Sequence, residues 1–491
     1  MSTGIVDQFG RPAYATSGKL YESPGDSGYR LSRPRLDKDI WQLVNSNRHR
    51  AMISDCRYIR IAFPVVEGAT RQKANYVHAS GWQPQFSGED EEWGIEAEKV
   101  TRDADRIISV RGPLYDWNRI WKIGGMMWDT DGDWFLLLSE RNGFPRLQTL
   151  EAHRVGSRMK GDLVVAGKYK GSRILNGIIY NGAGQEMAYN VLGSSPEQDR
   201  QISANDMIRI ADPSWFSESR MMPRIAYPIL DWYDIKETRN YEKIAQKANS
   251  ALTMVESNES GKRNVNLPLG NMIPGGGEGE SQSEGGPSPS VDILEGGLIR
   301  YVKSGSGSIH AHESSRPSQQ WQNFDATLLA GAFYGMGWRI EMMDLSKLNG
   351  VGVRGFQDNI NRTIMSEWEA MEPIVRRVHL WKTAKLIKAG LLRESQEWWK
   401  WTFTPPAEFR VDAGRSSQSD REDLRAGTQT HPQVLRKNGR NPREHLEEEA
   451  LYVKMKRRIA KKHGVNESDL GRSDKPGDNP PTNNNQTEEE E

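Results

Sequence analysis

Cysteine is almost absent. Cys56 is the only one in 491 residues, so no disulfide can form within the chain, and a reducing interior is the expected setting. Surplus charge is missing too: 66 Lys+Arg balance 66 Asp+Glu. That balance argues against tight, sequence-independent gripping of phosphate backbone, because such affinity comes from excess cations. Contact with nucleic acid should therefore be weak or local. No basic segment followed by an apolar core opens the chain, and the longest apolar run covers only 134–138, so neither a signal peptide nor a membrane span is expected. The phosphate-loop pattern G-x-x-x-x-G-K-[ST] is lacking as well. The glycine run at 275–286 carries Glu278, Glu280 and Glu284 and no lysine, so it reads as a linker whose charge repels phosphate.

What is present is enough apolar matter for several cores: 36% hydrophobic residues, with 16 Trp and 47 Gly punctuating them. Residues 1–30 have no hydrophobic period and read as a flexible arm. The spacing of Ile40, Leu43 and Val44 suits a helix within 39–62, and 57–66 turns β-like with Pro64 near its end. WDTDGDWFLLL (128–138) and the Asn-Gly breaks of 168–193 read as hairpins of an antiparallel sheet. The fold class expected is α+β.

From about 226 the pattern changes. Ala226, Ile229, Leu230 and Tyr233, then Tyr241, Ile244, Ala245, Ala248, Leu252 and Val255, predict a long amphipathic helix over 226–255. A glycine-rich insertion follows, then a strand and turn at 294–305. A second helix carries Pro317 in its first turn and Trp321, Phe324, Leu328 and Ala332 on one face, and Gly335 and Gly337 stop it. After an irregular stretch at 342–355, a third helix shows Phe356, Ile360, Ile364, Trp368, Met371 and Val375 on one stripe, and Pro373 should kink it. Residues 397–412 read as an aromatic-anchored connector. Polar helices near 416–427 and 442–463 precede a disordered tail, 464–491.

Chemical motifs fare poorly. Gly25-Asp26-Ser27-Gly28 matches a serine-nucleophile signature but lies in the unpatterned arm. Asp129, Asp131, Asp133 and Glu140 match positions of a calcium loop, yet Trp134 stands where that loop requires glycine, so a hairpin turn is the better reading. His310 and His312 would share one face of a strand as half of a metal site, with no further histidine or cysteine close by. Cys56 reads as a small buried hydrophobe. No catalytic residue, metal or cofactor is assigned, and no enzyme is expected.

The order of elements and four segments resemble the portal proteins of lambda-like tailed bacteriophages. RPSQQWQNFDATLLAGAFYGMGWRIEMMDLSKLNGVGVRGFQDNINRTI (316–364) is similar to that family's aromatic helix, small-residue stop and L-[ST] turn. WTFTPPAEFRVDAGR and AGTQTHPQVLRKNGRNPREHLEE resemble its connector and closing helices, and DGDWFLLL suits its amino-terminal sheet. Gly352-Val353-Arg354-Gly355 replaces the family's asparagine-tyrosine-serine run.

The resemblance implies a portal fold: a wing over 31–225, a first stem helix over 226–255, a clip over 256–313 and a second stem helix over 314–337. A tunnel loop over 338–357, a kinked helix and wing return over 358–412, and a crown over 413–463 would complete it. It implies a homo-oligomeric ring, a dodecamer in the virion, at one capsid vertex, assembled in the host cytoplasm, through which double-stranded DNA is packaged and ejected. The partners implied are terminase, head-tail adaptor proteins, and the major capsid and scaffolding proteins, with no membrane. Lys347, Asn349 and Arg354 are the candidate DNA-facing residues of the channel; the alternative is that they satisfy local turn and interface contacts. In the crown, Lys456, Arg457, Arg458 and Lys461 could face DNA, though such a run is more often a solvated helix end. The competing function is a virion connector or scaffold-binding structural protein without a channel.

Overall fold

The computed structural model describes residues 38–158, 161–258, 298–303, 308–311, 318–342, 350–410, 413–466 and Leu470. The arm at 1–30, most of the glycine-rich insertion, His312, Pro317, Lys347, Asn349 and nearly all of the tail lie outside the described residues.

The described residues open with three helices: α1 (Ile40–Leu43), α2 (Ser46–Ala62) and α3 (Pro64–Val77). Asn45 caps α2 by accepting the Arg48 amide, and Ile53, Cys56 and Ile59 line its inner face. The β-like segment expected at 57–66 is helical instead. Pro64 forces only Phe63 into an extended conformation and then serves as the first residue of α3, the position where its missing N–H costs nothing.

Next come β1 (Pro84–Phe86), α4 (Glu91–Asp105) and α5 (Trp117–Thr130), the two helices capped by Asp90 and Asp116. The Asp-Gly turn expected to close a hairpin at 128–138 instead ends α5. Asp131 is the C-cap, and Gly132 takes φ +85, with the Met221 carbonyl only 2.0 Å from where a Cβ would stand. The hairpin itself lies one step later, where β2 (Trp134–Arg141) and β3 (Phe144–Glu151) turn at Asn142-Gly143, both at positive φ.

The sheet expected over 168–193 is present. It comprises β4 (Arg173–Leu175), β5 (Ile178–Tyr180), β6 (Glu186–Val191) and β7 (Arg200–Ser203) in sequential antiparallel order, with Asn176-Gly177 as the first turn. β8 (Met207–Ile210) pairs with β2, giving a second sheet of order β3-β2-β8.

The first long helix, α6, spans Ile229–Ala251, shorter than the 226–255 expected. Leu252, Thr253, Met254 and Val255 instead start β9 (Leu252–Asn258), which pairs in parallel with β10 (Leu298–Lys303) and antiparallel with β11 (Ser308–Ala311). A bond-for-bond ladder to two partner strands outweighs an apolar period that can also be read as helical. α7 (Gln319–Gly335) is capped by Ser318 and stopped by Gly337 at φ +73. Its core face is Leu329, Ala332 and Phe333, whereas Phe324, expected inside, is exposed.

α8 runs from Gly350 to Lys388, straight through the position of Pro373. It begins inside the stretch expected to be irregular: 350–355 is helical despite Gly352 and Gly355, because the turn directly after it seats Phe356 and Ile360 in the core. The apolar stripe predicted for it is the buried one. β12 (Trp401–Phe403) pairs with β1 and carries the chain back to the amino-terminal body. Three helices close the described chain: α9 (Ala413–Ala426), α10 (His431–Lys437) and α11 (Pro442–His463). α10 was not expected, although the reciprocal Thr430 and Gln433 cap before it is legible in the sequence.

α8 is the spine of the molecule. Its first part packs Phe356, Ile360 and Ile364 against Cys56, Trp232 and Phe333. Its middle packs Met371, Val375 and Val378 into a tryptophan-rich core with Trp82, Trp117, Trp121, Trp128 and Trp134. Its end places Leu386 beside Trp93 and Trp401. At about 1.5 Å per residue, one continuous helix of 39 residues crosses three cores and sets their spacing.

Candidate functional site

The acid ladder that mimicked a calcium loop holds no common centre. Its three aspartates are buried and each faces a different cation, while Glu140 is exposed on β2 and meets Lys385 at 2.7 Å. Asp129, at the end of α5, meets Lys73 of α3 at 2.8 Å and Arg224 at 3.6 Å. Asp131 takes Arg57 of α2 through two hydrogen bonds, at 2.9 and 2.5 Å. Asp133 takes Arg220 the same way, at 2.7 and 2.6 Å. Helical and extended geometry on either side of Gly132 point the three side chains apart, so they radiate to three segments instead of encircling an ion.

Glu367 of α8 completes the hub by accepting from Lys73 at 2.7 Å and Arg224 at 2.9 Å. Two cations and two carboxylates thus form a largely buried cluster, which Asp212 joins from the surface at 3.2 Å from Arg224, with Arg224 lying over the Trp128 ring. Burial alone would raise the Glu367 carboxyl, but the charges of Arg224 and Lys73 outweigh it and hold the group below its ordinary range. Asp133 follows the same rule: burial raises it and Arg220 more than compensates. Asp131 goes the other way, since burial outweighs Arg57 and pushes its carboxyl up.

Asp131, Glu151 and His153 bring one ligand atom each within 4.8 Å of one another. The guanidinium of Arg57 fills that space, donating to all three, so the cluster already has its cation. His310 lies on β11. Cys56 is fully buried, and burial pushes its thiol far above its usual range, so it is inert packing as expected.

The hub roots a helix pair. α6 and α7 are joined by Arg239 to Asp325 through two bonds of 2.8 Å, and by Trp232 edge-on to Phe333 at 5.3 Å between centroids. On α6, Trp232 and Ile235 are fully buried, whereas Leu230, Tyr241 and Ile244 are exposed. At about 100° per residue the two sets occupy opposite sides of the helix. Phe324 and Tyr334 of α7, and Tyr58 and Ile61 at the end of α2, are exposed large hydrophobics as well.

Of the sequence-derived DNA candidates, Arg354, Lys456, Arg457, Arg458 and Lys461 fall within the described residues. Arg354 sits in the first turns of α8 instead of an irregular loop, while Lys347 and Asn349 precede the described part of that helix. Lys456, Arg457, Arg458 and Lys461 lie on α11, with Lys456 partly covered and the other three exposed. Between α8 and the closing helices, a polar groove of about 410 Å³ is lined by Arg362, Arg410 and Lys437, but also by Asp358, Glu408 and Asp420. Arg410 and Lys437 both pair with Asp420, at 2.8 and 3.4 Å, so the groove is a charge-neutral joint. Sequence reasoning missed the ion hub because its partners are scattered. The only local signal was three alternate aspartates beside a glycine.

The family model described as phage portal protein, lambda family, matches residues 47–355. No curated protein matches the chain. Among solved structures, the chain is similar to one described as the virion of a native gene transfer agent particle, with 11% identity and a TM-score of 0.47 over 79% of this chain and 93% of that one. It is also similar to the neck of an empty particle of that kind computed with C6 symmetry (10%, 0.46, covering 80% and 94%). The neck of the native particle computed with C12 symmetry gives 10% and 0.45 over the same shares. Among the described residues no helix is long and apolar enough to cross a membrane.

Proposed function

The chain belongs to the lambda family of phage portal proteins, and from that premise we propose that its copies close side by side into a ring whose central channel passes double-stranded DNA at one capsid vertex. The observation that carries this reading, beside the family match, is the two-sided apolar character of α6. One side, with Trp232 and Ile235, is spent on the chain's own core; the opposite side, with Leu230, Tyr241 and Ile244, is left for a neighbour. A cyclic ring needs that division, because each subunit must offer two different surfaces around one axis.

In this reading the body from α1 to β8 is the wing and the α6–α7 pair is the stem. The β9–β11 sheet, with the insertion between its strands, is the clip on which terminase and later the adaptor proteins dock. α9 to α11 form the crown. Capsid and scaffolding proteins meet the ring at its periphery. A net charge of zero suits a channel that must not hold its cargo, since each added phosphate contact steepens non-specific binding. Lys347, Asn349 and Arg354, at the entry to α8, are the few donors proposed to touch the duplex, and Lys456, Arg457, Arg458 and Lys461 the ones proposed to meet it at the crown. The assembled protein then belongs at the neck of a virion.

Negative-stain images of the purified full-length chain test this. A closed annulus with an open centre supports it, and a single copy persisting at all concentrations overturns it. Lys347→Ala with Arg354→Ala should leave the annulus intact and alter DNA packaging or retention; loss of the annulus would make those residues structural.

A further inference from the structure

α11 is held to its own chain at one end by Arg102 to Glu444, and along one side by Ala460, which is buried. Most of the rest of its surface is exposed, Leu446 and Val453 included, and on the side away from Ala460 Leu451 is 66% exposed, Met455 52% and Ile459 40%. At about 100° per residue, Glu448, Leu451, Met455, Ile459 and Lys462 all fall within about 40° of one line along that side.

The line is palindromic in chemistry about Met455. Four positions before it stands Leu451 and four after it Ile459; seven before stands Glu448 and seven after Lys462. Laid antiparallel across a second copy and crossing at Met455, every acid of the strip meets a base and every apolar residue an apolar one. Laid parallel and in register, the same strip sets Glu448 against Glu448 and Lys462 against Lys462.

We propose that α11 is a self-recognition helix whose partner is the α11 of a second copy of this chain, bound antiparallel about a two-fold axis through Met455. The contact is isologous, so it lies outside any cyclic arrangement, where neighbouring helices run parallel. It joins two free subunits, or the crown of one ring to the crown of another. In the second case, weak individual contacts add through multivalency. The inference stands on α11 alone and does not rest on the ring reading.

Native mass spectrometry and sedimentation of the full-length chain read the pairing directly. Wild-type protein should show a concentration-dependent species with twice the mass of the unit, subunit or ring. Glu448→Lys, an exposed change, should cut that species about tenfold at fixed concentration, and adding Lys462→Glu should restore it, because the swap rebuilds both mirrored pairs. Glu448→Cys with Lys462→Cys should, on mild oxidation, give a covalent pair that stops at two chains linked 448 to 462; Cys56 is buried and does not compete. A ladder of longer covalent chains, links of 448 to 448, or a charge swap that fails to restore the species each overturn the proposal. If instead Glu448→Lys abolishes the annulus, α11 is a ring contact: the two-fold reading fails while the channel reading stands.

Discussion

At the scale of single residues, the charges at the centre of the molecule are paired. Lys73 serves both Asp129 and Glu367, and all three are buried. Lys73→Met should therefore strand two carboxylates beside Arg224 alone and cost about 3–5 kcal/mol in urea unfolding; replacing an exposed pair such as Arg106 with Asp103 should cost less than about 1 kcal/mol. Histidine gives the complementary case. The Trp82 indole N–H donates to Nδ1 of His78 at 2.8 Å, so a proton on Nδ1 must break that bond inside a core. Burial pulls His78 from 6.5 to about 4, and His49 likewise to about 4, with His379 also lowered by burial. These folded-state values are depressed, so the stability they contribute is fully present above pH 6.5 and is lost as pH falls toward 4. The melting temperature should drop across that window. His78→Gln, which keeps an acceptor for the indole and takes no proton, should flatten part of the drop, by at most about 3 kcal/mol.

At the scale of elements, two devices set the geometry. The turn from α5 into β2 needs Gly132 at positive φ with the Met221 carbonyl against it, so Gly132→Ala should cost more than the usual αL penalty of about 1 kcal/mol, read as a lowered urea midpoint. The α6–α7 pair is joined by the bidentate Arg239 to Asp325 bond, both partners less than a third exposed. A double-mutant cycle over these two residues should return a coupling of about 1 kcal/mol, and a value near zero would leave the tie between the helices to apolar packing such as Trp232 on Phe333.

At the scale of the whole molecule, the outer face of α6 and its inner face should separate folding from assembly. Tyr241→Glu with Ile244→Glu changes only exposed positions, so thermal unfolding of the subunit should stay close to wild type while the annulus is lost from negative-stain images. Trp232→Ala removes a fully buried ring and should cost about 3–5 kcal/mol in the subunit itself. A double variant that still forms rings would move the subunit contact elsewhere on the chain.

Much of this was legible in the sequence wherever a pattern is local. The stripe from Phe356 to Val375 marked α8, Asn176-Gly177 marked its turn, and the order of motifs marked the family, because helical period, turn stereochemistry and chain order are properties of neighbouring residues. Tertiary structure alone decided the rest. It made 128–134 a helix stop instead of a hairpin, drew Leu252 to Val255 out of a helix and into a sheet, and turned Phe324 outward. It also chose which cation answers each buried aspartate. Those outcomes depend on segments far away in the chain, the strand that offers a ladder or the guanidinium that offsets burial, and no local period encodes a distant partner.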